Sequence, residues 1–179
     1  VSLYGNAGDN VLVGNDAANT LQGGAGADRL TGRGGADAIA LGAGDGATDS
    51  VIYTAAGETA TGVFTSGGST AGMDAISEAA LGEVIDVWDV FSDATTLSTT
   101  FLTTVTANQV AIVQGTLDTA AGTFTTAADN DYLVQWSDGS AIHSIVLKDY
   151  GATTPTLTMD VANDTLKLTR VYNVITGTA

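Results

Sequence analysis

The chain has 179 residues, enough for one domain or for one domain with an appendage. Five Lys and Arg against 20 Asp and Glu give a net charge of −15 at pH 7, so no cationic surface exists to displace counterions from nucleic-acid phosphates or to dock on anionic lipid. With no cysteine and one histidine, disulfides and thiolate metal sites are excluded and little remains for a histidine-based zinc site.

A hydrophobic fraction of 44% and a mean hydropathy of +0.22 set this chain apart from disordered acidic segments, which bury too little apolar surface to fold. No run of 18 apolar residues occurs, so no helical membrane span is expected. The 23 glycines against a single proline point to repeated tight turns.

In chain order, Val1-Ser2-Leu3-Tyr4 reads as the tail of a repeat whose start is missing, so a fragment of a longer protein is expected. Leu3, Leu12, Leu21, Leu30 and Ile39 then follow at intervals of nine residues. Asn10, Asn19, Asp28 and Asp37 keep the same interval, each two residues ahead of its aliphatic partner. Gly5, Gly14, Gly23 and Gly32 open four units, GNAGDNVLV, GNDAANTLQ, GGAGADRLT and GRGGADAIA. The third fits G-G-x-G-x-D-x-U-x at every defined position, with U a large aliphatic residue.

The residue types predict the geometry. Six turn-forming residues need backbone atoms close together, which glycine permits. Three strand residues follow, and only the middle one points inward, because side chains alternate. Two units then make one coil, with strands on opposite walls, an aliphatic layer between them, and each turn stacked on the turn eighteen residues on. Carbonyl oxygens and one acid side chain per turn lie between stacked turns. Such an all-oxygen environment suits calcium, a hard cation with 6–8 ligands.

This segment resembles the RTX calcium-binding repeats of proteins exported by the Gram-negative type I system, clearly over residues 3–40 and more weakly through Asp49-Ser50-Val51. The resemblance implies an all-β fold: a right-handed parallel β-roll over residues 1–54, capped by a C-terminal β-rich, antiparallel region over residues 55–179. It also implies the cages. In the family, carbonyls of repeat positions 2 and 4 and the position-6 carboxylate of one turn meet carbonyls of positions 1 and 3 and the position-6 carboxylate two units on. Carried over, a first site uses Asn6, Gly8, Asn10, Gly23, Ala25 and Asp28, and a second uses Asn15, Ala17, Asn19, Gly32, Gly34 and Asp37. A third takes Gly24, Gly26 and Asp28 and meets the next turn near Asp45 and Asp49.

Three departures from the pattern carry expectations. Asn10 and Asn19 stand where the family has Asp, which leaves the first two sites one carboxylate each and predicts weaker binding. Ala17 replaces the fourth-position Gly, at a cost of about 1 kcal/mol if that position needs a positive φ. Arg33 replaces the second Gly and brings a cation close to a cation site.

Residues 55–72 are small and polar and read as a loop or hairpin insertion. Asp74-Ala75-Ile76 and Ile85-Asp86-Val87 resemble the closing strands of RTX modules. Asp74, Glu78 and Asp86 are candidates for ion sites at the edge of the roll, with a solvated acidic face as the alternative. A short helix is an option at 74–81 or 118–121. Residues 101–114 have strand chemistry, and Tyr132–Trp136 and Ala141–Leu147 flank Ser137-Asp138-Gly139-Ser140, a hairpin signal. Leu157–Asp160 and Leu166–Ile175 complete the strands, covering sheet edges that would otherwise pair with other chains.

The tail after Leu166, with Asn173-Val174-Ile175, is where the resemblance implies an uncleaved type I secretion signal. No catalytic constellation is read: H-E-x-x-H, G-x-S-x-G, Walker-type loops and Cys–His pairs do not occur, and His143 is expected to be a wall residue. Trp88 and Trp136 are expected in packing, with sugar stacking the lesser option.

The sequence thus predicts a calcium-binding C-terminal RTX module of a larger secreted or cell-surface bacterial protein, binding several calcium ions, exported by type I machinery and folding in extracellular calcium. A surface-layer or adhesin segment that assembles with copies of itself through calcium is the first alternative. An accessory, polysaccharide-binding module of a secreted epimerase, lipase or protease is the second.

Overall fold

The structure is a computed structural model, and it describes residues 1–42, 45–79, 83–87, 96–148, 156–160 and 165–169. The nonapeptide units form three-residue strands β1 (Ser2–Tyr4), β2 (Val11–Val13), β3 (Thr20–Gln22), β4 (Arg29–Thr31), β5 (Ala38–Ala40) and β6 (Ser50–Ile52). Odd and even strands separate into two parallel sheets. In one, Leu3 pairs with Leu21 and Leu21 with Ile39. In the other, Leu12 pairs with Leu30 and Leu30 with Val51. The register follows the eighteen-residue period and lengthens to 21 residues only at the last step, where the turn carries an insertion.

Parallel stacking continues beyond residue 54. A segment containing one 3₁₀ turn (Ala56–Glu58) and the short strands β7 (Ala60–Thr61) and β8 (Gly68–Ser69) leaves the stack. The chain then returns as β9 (Ala75–Ser77), which pairs in parallel with β5, and β10 (Val84–Asp86), which pairs in parallel with β6. The strand at β9 replaces the helix option at 74–81. Asp74 and Ile76 keep the acid-to-aliphatic offset of the repeats, and pairing on both sides of β9 outweighs any local helix preference. At 118–121 the chain likewise ends a strand and turns, with Asp118 Oδ1 accepting the N–H groups of Ala120 and Ala121.

Both parallel sheets are extended by antiparallel strands. β12 (Gln109–Asp118), β14 (Asp131–Ser137) and β15 (Ile142–Leu147) form a meander whose last strand pairs in parallel with β9. β11 (Thr96–Ser98) and β13 (Thr123–Thr126) join β12, and β7 lies on the same edge of β15 as β9. On the other sheet β17 (Thr165–Thr169) pairs with β10, and β16 (Thr156–Asp160) pairs with β17. The predicted hairpin is present, with Tyr132 opposite Leu147 and Ser137 opposite Ile142. Its loop is closed by Asp138 Oδ1, which accepts the N–H groups of Ser140 and Ala141, and by Gly139 in a left-handed conformation. Residues 170–175 of the expected last strand, Asn173-Val174-Ile175 among them, lie outside the described residues, as does Trp88.

One hydrophobic cluster runs through the molecule. Leu21, Leu30, Ile39, Val51, Ile76 and Ile85 supply one inward residue per strand of the stack, and Val110, Val134, Trp136, Ile145 and Leu147 continue the layer from the meander. The opposite face of the meander packs Phe124, Leu133 and Val146 against Phe64 of the excursion, which explains why every residue of β14 and β15 is buried. Trp136 is fully buried, 6.0 Å from the ring of Tyr53, so it packs the core and offers no face to a sugar.

His143 is also buried, stacked on Trp136. Its Nδ1 lies 2.8 Å from Thr59 Oγ1 and its Nε2 lies 3.0 Å from Asp138 Oδ2, so the ring ties the excursion to the hairpin loop. No helix among the described residues is long and apolar enough to cross a membrane.

The aliphatic layer makes a direct prediction. Leu30→Ala should lower the unfolding free energy in calcium by about 2–5 kcal/mol. Val11→Ala, on a side chain 71% exposed, should change it by less than about 0.5 kcal/mol. Denaturant unfolding of the two variants checks the difference.

Candidate metal centre

The turns between strands carry two ladders of acids and amides. In the first, the Asn10 N–H donates to Asp28 Oδ1 at 2.7 Å, the Asp28 N–H to Asp49 Oδ1 at 2.8 Å, and the Asp49 N–H to Glu83 Oε2 at 2.5 Å. In the second, the Asn19 N–H donates to Asp37 Oδ1 and the Asp37 N–H to Asp74 Oδ1, both at 2.8 Å. The sixth residue of each unit therefore bonds the sixth residue of the coil below. Asp28, Asp37, Asp49, Asp74 and Glu83 are all buried.

The second oxygen of these acids decides the chemistry. Asp28 Oδ2, Asp37 Oδ2 and Asp49 Oδ2 are buried and have no hydrogen-bond partner. A buried carboxylate oxygen without a donor is costly unless a cation meets it. The surroundings are also acceptors. A Cβ placed on Gly23 would meet Asp28 Oδ2 and the carbonyl oxygen of Leu41, and one on Gly32 would meet Asp37 Oδ2. Glycine thus leaves a space, lined with oxygen, that any larger residue would fill. Among the described residues no three acidic or histidine side chains converge on one point, so a cation here would be held by one or two carboxylates together with backbone carbonyls.

The three predicted cages are assembled unequally. For the first, the Ala25 N–H donates to the Asn6 carbonyl at 3.0 Å, Asn10 Oδ1 accepts the Asn6 N–H at 2.7 Å, and the Gly23 carbonyl faces Gly5 beside Asn10 Oδ1. Gly8 closes the turn by donating to Asn6 Oδ1 at 2.8 Å. For the second, Asn15, Ala17, Asn19 and Asp37 meet, the Gly32 carbonyl lies against Gly14, and Gly34 faces Asp16 across the stack. For the third, Gly24 and Gly26 adopt left-handed conformations, the Gly26 N–H donates to Asp45 Oδ2 at 2.6 Å, and the free oxygens of Asp28 and Asp49 belong to adjacent coils.

Glu78 and Asp86 lie off both ladders. Glu78 is exposed in a left-handed turn after β9, and Asp86 alternates with buried Ile85. The acid that completes the first ladder is Glu83, two residues before Ile85. The offset that marks Asp28 before Leu30 would have found it, had Glu been admitted beside Asp. Leu41 is the other residue missed; it occupies the first position of its unit, whose carbonyl the cage pattern uses.

The turn at Ala17 differs from expectation. Gly26 and Gly35, at the fourth position of their units, have φ of 99° and 107°, yet Ala17 is not left-handed. In the first two units Asn6 and Asn15 accept the N–H groups of Gly8 and Ala17 on their side-chain oxygens, a turn that needs no positive φ. The expected strain at Ala17 does not arise. It falls instead on Arg33, whose φ is 70° at a position held by Gly24 and Gly42 in neighbouring units.

Burial pushes the carboxyls of Asp37 and Asp49 upward, and it carries those of Asp74 and Glu83 to about 7. Desolvation is the largest cause in each, opposed by hydrogen bonds from the ladder. Asp45 is exposed and moves the other way, held down by the N–H groups of Ala47 and Gly26. A dication among these groups would favour their charged forms and release protons on binding.

Residues 2–17 and 13–47 match the family described as RTX calcium-binding nonapeptide repeat (4 copies). An RTX calcium-binding repeat is therefore present at the N-terminal end of the chain, and the family binds calcium. No curated protein matches the chain.

Two predictions follow from this geometry. Arg33→Gly should raise stability by about 1 kcal/mol, because a left-handed side-chain residue is replaced by one without a Cβ; urea unfolding measures it. In calcium-free buffer, Asp74 and Glu83 bind protons more tightly folded than unfolded. Their contribution to stability is then full below about pH 4 and is lost as pH rises through 7. Without calcium, the strand content seen by circular dichroism should therefore be greater at pH 5 than at pH 8, where it is lost, and this difference should vanish when calcium is saturating.

Proposed function

We propose that this chain is a calcium-dependent folding module of a larger secreted or cell-surface protein. The observation that carries the reading is the row of buried, unpartnered oxygens on Asp28, Asp37 and Asp49, each in a stacked turn, with the Leu41 carbonyl beside that of Asp28. In this reading residues 1–54 begin a roll that β9 and β10 continue, and the rest of residues 55–179 form its β-rich cap and hold a type I secretion signal near the C-terminus. Calcium neutralises the ladders: Asp28, Asp49, Leu41 and the turn of Gly24 and Gly26 would hold one ion, and Asp37 with Asp74 would take part in another. The role is folding and binding, with catalysis left to other parts of the parent protein.

The mechanism is metal-coupled folding. Without calcium, buried acids one coil apart repel or must take up protons, and the glycine-rich turns lose too much entropy on ordering. Extracellular calcium modules have dissociation constants of about 10⁻⁴–10⁻³ M, above cytosolic calcium, so the chain stays unfolded before export and folds outside. The antiparallel strands β15 and β17 support the reading of a cap, since each continues one of the parallel sheets at its last coil.

Circular dichroism of the whole chain tests the coupling. A strand spectrum should appear on adding calcium and disappear in excess chelator, with a midpoint of about 10⁻⁴–10⁻³ M. Asp28→Asn should move that midpoint to higher calcium, since Asp28 serves coils on both sides. A strand spectrum that persists unchanged in chelator would overturn the mechanism.

A further inference from the structure

Asn10 and Asn19 occupy the same position of adjacent units, but their side chains differ in what they do. Asn19 is buried, and its Nδ2 donates to the Asn15 carbonyl at 2.9 Å, to Asp37 Oδ1 at 2.9 Å, and to the Ala17 carbonyl. The Gly32 carbonyl lies in the same neighbourhood, since a Cβ on Gly14 would sit 2.6 Å from it and 3.2 Å from Asn19 Nδ2. These acceptors are the second, fourth and first positions of stacked turns plus a carboxylate: the oxygen set that the repeat offers to a cation. The orientation of the amide follows from the Asn15 N–H, which Asn19 Oδ1 accepts at 3.3 Å. Asn10 is only half-buried, and among the described residues its Nδ2 makes no hydrogen bond.

We propose that the Asn19 carboxamide takes the place of the cation in the second cage and closes that cage to calcium. An NH₂ group is a neutral side-chain donor whose two hydrogens can face several of these oxygens at once, Asp37 Oδ1 among them, without bringing a charge into the cage. Its position at the centre of the acceptors leaves no room for an ion at the 2.3–2.6 Å that calcium requires. The turns of the second and fourth units are thereby stapled without metal, and calcium loading is confined to the other stacked turns. This inference rests on the reading of the stack as calcium cages.

Calorimetric titration of the whole chain with calcium, in the wild type and in Asn19→Asp, tests the proposal together with NMR of the Asn19 side-chain amide. Asn19→Asp should bind one more calcium ion per chain than the wild type. The wild-type Asn19 NH₂ protons should exchange slowly with solvent in saturating calcium, as protected as buried backbone amides. Equal calcium stoichiometry in the two proteins, or an Asn19 NH₂ that exchanges freely in the calcium-loaded wild type, would overturn it. If Asn19→Asp folds at no calcium concentration, the wild-type amide exchange decides. If the wild type binds no calcium whereas Asn19→Asp does, the proposed function fails and the role of Asn19 stands.

Discussion

Each turn of the stack hands one backbone N–H to a carboxylate of the turn stacked after it, and the rest of the structure depends on that contact. The bond sets the register of both parallel sheets, because Asp28, Asp37, Asp49, Asp74 and Glu83 each sit two residues before the side chain that enters the core. It also forces the acids inside. A charged-group hydrogen bond contributes about 1.5–3 kcal/mol, but a buried carboxylate keeps a second oxygen that must be satisfied. Asp74 meets this demand with the Tyr53 hydroxyl at 2.9 Å. Asp28, Asp37 and Asp49 do not, and in the proposed reading a dication would supply what the protein withholds.

The C-terminal half is joined to this stack through its sheets as well as its core. β9 has a repeat strand on one side and β15 on the other, so the parallel and antiparallel parts form one continuous sheet. Leu21 and Trp136 belong to the same hydrophobic cluster. Ordering the turns therefore bears on the meander too, and the excursion after β6 is held by Thr59, His143 and Asp138.

Much of the stack was legible because nine-residue spacing is a global signal that survives local substitution. The strands β1 to β5, their inward residues and the acids Asp28 and Asp37 come from it; Asp49 and Val51 come from the acid-to-aliphatic offset after the period lengthens, and Asp74 from the resemblance to RTX closing strands. What escaped has physical reasons. Glu83 lies 34 residues beyond Asp49, so the period is broken by the excursion and only the offset to Ile85 remains. The turns of Asn6 and Asn15 replace left-handed glycine by side-chain hydrogen bonds, which a pattern of glycines does not reveal. The second role of Asn19 is hidden because Asn in place of Asp reads as a lost ligand; only the positions of the surrounding oxygens show a donor in use. Pairing of β15 with β9 joins residues about 70 apart, and no local pattern encodes it.

The central claim is that calcium meets the free oxygens of the buried ladder acids. Anomalous diffraction from crystals of the calcium-saturated chain tests it most directly. The account predicts calcium peaks about 2.3–2.6 Å from Asp28 Oδ2 and Asp49 Oδ2, completed by backbone carbonyls of the stacked turns. Ordered crystals with no anomalous density beside either oxygen, and both carboxyls protonated within the same backbone, would contradict it.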